Sequence, residues 1–195
     1  MTWSEVALVA LGALAVGLLL AWRGASRVDR LHRKVAASRI ALDAQLVRRA
    51  SAATELAVSG ALDPASSVLV ADAAYAASDA GPVTAPAAAL KMDGLGADRE
   101  RAESGLTATL REALGAPEAA RALLEGPSAE VVEALGAAWY RATLARRFHN
   151  EAVAQARRVR RLWYVRLFHL AGRAPMPRTV ELDDVLPHAL EPNGG

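Results

Sequence analysis

A chain of 195 residues, 53% of them hydrophobic, suffices for one buried core and is too short for two ordinary domains. It has no cysteine, which excludes disulfides, thiolate metal sites and a cysteine nucleophile, and its 5% of aromatic residues argues against a strand-rich fold. The formal charge of +2 conceals blocks. Residues 23–49 hold eight basic and two acidic groups, 50–140 five and thirteen, 141–178 ten and one, and 179–195 none and four. Such segregation bears on partners and solvation more than on fold.

From Val6 to Trp22 every residue is apolar or glycine, and with Trp3 the run covers about 30 Å as a helix. Residues 1–22 are therefore expected to be a transmembrane anchor, with Trp3 and Trp22 at the two interfaces. No Lys or Arg precedes the run and no small-x-small cleavage site follows it, which favours an anchor over a cleaved signal peptide. Arg23, Arg27, Arg30, Arg33 and Lys34 come directly after. By the positive-inside rule they place the N-terminus outside the cell membrane and the rest of this single-pass chain in the cytoplasm.

Residues 23–175 read as one helical domain. Val28, Leu31, Val35, Leu42 and Leu46 form the stripe of a first helix over about 26–59, closed by Gly60. Asp63-Pro64 opens a second helix, with Asp as N-cap and Pro at the first helical position. Residues 80–97, rich in Gly, Pro and Ala, read as a flexible loop. A third helix follows over about 98–114, then a short one over 118–124. Ser128 is expected to cap the last helix, on which a heptad spacing runs from Val131 through Leu135, Ala138, Ala142, Ala145, His149, Ala152, Ala156 and Val159 to Trp163. The fold class expected is all-α, an N-terminal transmembrane helix followed by an antiparallel up-down bundle of about four helices. Residues 176–195, acidic and containing proline, read as a disordered tail.

Two groups of residues stand out. His149 and Asn150, beside Arg146 and Arg147, fall on a packed helix and are expected to make polar contacts with Asp43, Gln45, Arg48 or Arg49 on the first. Arg157, Arg158, Arg160, Arg161, Trp163, Tyr164 and Arg166 form a basic, aromatic end. An even number of helices returns it to the membrane, where it meets anionic lipid headgroups. A protein partner is the second reading of this cluster and nucleic acid the least favoured.

Val28-Asp29-Arg30-Leu31, Leu42-Asp43-Ala44-Gln45-Leu46-Val47-Arg48-Arg49 and Leu144-Ala145-Arg146-Arg147-Phe148-His149-Asn150-Glu151-Ala152-Val153 together resemble the two signature helices of the LemA family of bacterial membrane proteins, in its shorter LemA-like branch. The resemblance implies an N-terminal transmembrane helix and an antiparallel helical bundle, and no molecular activity.

Catalytic chemistry finds no constellation. The four histidines have no partner ligands at helical spacing, so no metal site is expected, and no glycine-rich phosphate loop occurs, so no cofactor is expected either. Glu103 and Arg111-Glu112 match part of a Nudix-type box, but Gly115 and Ala116 stand where its magnesium-binding carboxylates are needed. The expectation is a non-enzymatic scaffold or interaction module. The alternatives are a bundle that binds a metal or small ligand, and an extracytoplasmic stress-sensing domain.

Overall fold

The computed structural model describes residues 2–79, 92–115, 123–172, 174–187 and 190. It is all-helical, with no strand among the described residues. The helices are α1 (Trp3–Val58), α2 (Pro64–Asp79), α3 (Ala97–Ala113), α4 (Ala129–Arg160) and the short α5 (Trp163–Leu167).

The apolar segment and the first bundle helix are one helix of 56 residues, where the sequence predicts a new start near Ser26. Gly24 is the one weak helix former at the junction, and a lone glycine costs only about 1 kcal/mol relative to alanine. The apolar run of α1 is long and apolar enough to cross a membrane, and that window buries none of its residues in the protein. Its first bundle contacts begin near Gly24, and Val28 is its first buried residue. Gly60, at φ +76°, ends the helix in a conformation that L side chains avoid.

Asp63 caps α2 as its sequence position predicts, its Oδ1 accepting from the Ala65 and Ser66 amides at 3.0 and 3.1 Å. Hydrogen bonds from Ser66 lead the causes that hold its carboxyl below the usual range. Of the loop expected at 80–97, residues 80–91 lie outside the described residues; 92–96 bend into α3, which starts at Ala97. Of the short helix expected at 118–124, residues 118–122 are outside as well, and 123–125 are helical. Ser128 occupies the N-cap position of α4, but its side chain makes no capping bond; its carbonyl accepts from Val131 and Val132.

α4 runs antiparallel to α1, pairing Lys34 with Gln155 at 3.1 Å and Ser38 with His149 at 3.0 Å. The heptad spacing describes much of its buried face up to Val159, although Val131 and Ala145 are only half-buried and the buried Val132, Trp139 and Val153 fall outside it. The spacing stops at Val159, because the helix breaks at Arg161 and Trp163, on α5, is 72% exposed. α2 packs against α1 and α3 against α2, while α1 and α3 meet less extensively, through the side chains of Arg49, Glu103 and Thr107. The main core lies at the end far from the apolar run: Ala53 and Leu56 meet Val70 and Ala74 of α2, Leu106 and Leu110 of α3, and Leu135 and Trp139 of α4. Toward the apolar run the bundle narrows to α1, α4 and α5 around Val28, Val159 and Val165.

The segment expected to be disordered is the largest correction. Residues 174–187 run extended along the bundle, and their polar contacts bridge α3 and α4. The strap is antiparallel to α4: Pro177 meets Arg157, Val180 meets Asn150 and Asp184 meets Arg146. Val180 is fully buried, with Leu42, Leu46 and Ala142, and Leu190 packs on Gly136. Burying apolar side chains and pairing its carboxylates gives this stretch what an isolated acidic peptide lacks. Residues 188–189 and 191–195 lie outside the described residues.

Candidate functional site

The bundle interior holds a charged cluster. Arg49 is fully buried; its Nη2 donates to Glu103 Oε2 at 2.7 Å and to the Glu103 carbonyl at 2.9 Å, and its Nη1 to Thr107 Oγ1 at 3.0 Å. The guanidinium lies 5.2 Å from the Trp139 ring centroid, within cation–π range. Glu103 Oε1 accepts from Arg99 Nε at 2.9 Å, one helical turn back on α3. Arg99 in turn faces Asp43 at 3.7 Å, and Arg39 faces Asp93 at 3.6 Å. Both oxygens of Glu103 thus accept from arginines within the fold.

The strap seals this cluster. Thr107 Oγ1 donates to the Asp183 carbonyl at 2.6 Å, and Trp139 Nε1 to the Asp184 carbonyl at 3.0 Å. Arg146 holds the Asp184 carboxylate through two bonds of 2.7 Å, and Arg111 holds Asp183 at 2.6 Å. Asn150 binds the Val180 backbone reciprocally, donating to its carbonyl at 3.0 Å and accepting from its amide at 2.9 Å.

The polar residues of the first group therefore divide. Asp43 and Arg49 turn to α3, and Arg146 and Asn150 turn to the strap. Arg48 and Arg147 are exposed, and Gln45 is half-buried. His149 does reach α1, but its partner is Ser38, not Asp43, Gln45 or Arg48. Burial holds the His149 pKa below the ordinary 6.5, with the Arg178 backbone offsetting part of this and Arg39 adding to it. Arg99, Glu103, Thr107, Trp139, Asp183 and Asp184 escape a reading of the sequence as a source of interior contacts. The one local signal was Arg99 and Glu103, opposite charges four residues apart on one helix face.

The second group gathers at the start of the bundle, where α1 leaves its apolar run. Arg157 donates to the Pro177 carbonyl at 2.7 Å, and Arg160 to the carbonyls of Pro175 and, at 2.7 Å, Ala174. Arg158, Arg161 and Arg166 are exposed. Trp163, Leu167 and Phe168 expose most of their apolar surface beside them, and Tyr164 packs edge-on to Trp163 with centroids 5.9 Å apart. Tyr164 and Leu170 close onto Gly24 of α1. His32 lies nearby, its pKa lowered by burial and by Arg160 against the opposing pull of Asp29.

Among the described residues no three His, Asp or Glu side chains converge as metal ligands. No family model, no curated protein and no solved structure matches the chain.

Proposed function

We propose that this chain is a non-enzymatic helical scaffold of the LemA-like kind, tethered to the cytoplasmic face of the cell membrane, whose basic, aromatic end lies on anionic lipid headgroups. The observation that carries this reading is the position of α5. Its exposed Trp163, Leu167 and Phe168, with Arg161 and Arg166, sit at the level where the apolar run of α1 ends. Apolar rings flanked by arginines at the edge of a membrane-length helix suit the headgroup layer. The basic residues 23–34 on the same side supply the charge bias for a cytoplasmic bundle. A bundle built to bind a metal or small ligand is less favoured, because the buried charges on α1 and α3 face one another.

Reconstitution of the full chain in nanodiscs made with lipids brominated near the headgroup tests the contact. Trp3 and Trp22, at the two interfaces, give quenching of their own in tryptophan fluorescence, and Trp163→Phe is expected to lower the quenched fraction below that of the wild type. An unchanged quenching ratio in the variant would refute the contact, and a C-terminal phosphatase fusion active outside the cell would refute the orientation.

A further inference from the structure

A groove of about 670 Å³ runs between α1 and the α5 region. Its floor changes chemistry along the α1 axis. Gly17, Leu20 and Ala21 belong to the apolar run; Arg23, Arg27 and Arg30 follow at spacings of four and three, on one helix face. Gly17 to Arg30 spans about 20 Å of helix, which reaches from acyl-chain depth to beyond the headgroups. The opposite wall is Trp163, Tyr164, Phe168 and Leu170. Gly24 lets that wall close in, since a Cβ there would lie 2.7 Å from Leu170 Cδ1.

Among the described residues the charge in this groove is uncompensated. Arg23, Arg27 and Arg30 make no hydrogen bond or ion pair among the described residues, and the neighbouring carboxylate, Asp29, is held by Arg33 at 2.7 Å. Arg157 and Arg160, by contrast, donate to carbonyls of the strap. Three guanidinium groups over an apolar trough match one ligand chemistry, a phosphodiester joined to a hydrocarbon chain.

We infer that the groove between α1 and α5 binds a single anionic phospholipid, its phosphate held by Arg27 and Arg30 and an acyl chain lying along Gly17 and Leu20. This rests on the proposed membrane setting and adds a discrete site to a general surface attraction. Free phosphate satisfies only the cationic half and leaves the apolar trough open to water.

Native mass spectrometry of the full chain, released from detergent after incubation with phosphatidylglycerol, cardiolipin, phosphatidylcholine or inorganic phosphate, tests the site. An anionic phospholipid is expected to be retained in preference to phosphatidylcholine. Combined Arg27→Gln and Arg30→Gln substitution is expected to weaken retention roughly thirtyfold, taking the usual contribution of a basic group near an anionic surface for each. Gly24→Leu, which fills the groove without touching its charge, is expected to weaken it as well. Helical circular dichroism and the melting temperature of each variant confirm that it is folded. Equal retention of phosphatidylcholine, undiminished lipid retention in the folded double variant, or displacement of lipid by inorganic phosphate would each overturn the site. Quenching of Trp163 with no lipid retained would remove this inference and leave the proposed function standing; loss of the quenching would remove both.

Discussion

Arginine does opposite things in the two halves of this bundle. In the distal half Arg49, Arg99, Arg111 and Arg146 are each matched by a carboxylate supplied from α1, α3 or the strap. At the end beside the apolar run Arg23, Arg27 and Arg30 have no partner among the described residues. A buried guanidinium must be answered within the fold, because desolvation of an unpaired charge costs several kcal/mol, whereas an exposed one stays available to something outside it. The buried Arg49 and Arg99 therefore specify how α1 and α3 fit together, the partly exposed Arg111 and Arg146 hold the strap, and the proximal arginines stay open to groups outside the fold.

The sharpest way to break this contrast is Glu103→Ala, which strands Arg49 and Arg99 in the core. Loss of one partner of a buried pair is expected to cost about 3–5 kcal/mol, read from urea unfolding of the full chain in detergent. A cost below about 1 kcal/mol, the scale of an exposed pair, would mean that the cluster is solvated and that the two halves do not differ. Asn150→Ala comes next. It removes both bonds to Val180 and is expected to cost about 1–3 kcal/mol and to speed tryptic cleavage after Arg178. Unaltered cleavage would show that the strap is held elsewhere.

The smallest expected effect is on pH dependence. The folded pKa of His149 is depressed, so the neutral ring is favoured by folding; its contribution is complete above the ordinary 6.5 and is lost as pH falls through the lower folded value. His32 acts in the same direction, whereas Glu100, raised by burial, contributes stability that fades as pH rises above the ordinary 4.5. Comparing melting temperatures of the wild type and His149→Gln from pH 7.5 to 5 isolates the first. The wild type should lose more; parallel curves would remove His149 from the balance.

The local features of this fold were legible because each is written in neighbouring residues. Asp63-Pro64 announces α2, and the spacing of Leu135, Ala138, Ala142, His149 and Ala152 marks the buried face of α4. The strap was not legible, since its hydrogen-bond partners lie 14 to 86 residues away and acidic side chains look solvated until their arginines are found. A weak trace exists in Val180-Glu181-Leu182, where inward and outward side chains alternate as in any extended segment laid on a surface. The histidine pairing was half legible: the spacing points His149 at α1, but only the register of the two helices selects Ser38. For the basic end, composition identified the residues, and the break at Arg161 that separates α5 from α4 did not show in a spacing that continues to Trp163.

The unbroken course of α1 has a mechanical consequence. With no hinge between the apolar run and the bundle, a change in the tilt of one is a change in the tilt of the other. The stretch from Arg23 to Val58 is about 54 Å long, so a rotation of roughly 10° of the apolar run would sweep the distal end of the bundle through about 9 Å. In the proposed setting a thinner or thicker membrane becomes a displacement of the Ala53–Leu56 end, far larger than the change in thickness that caused it.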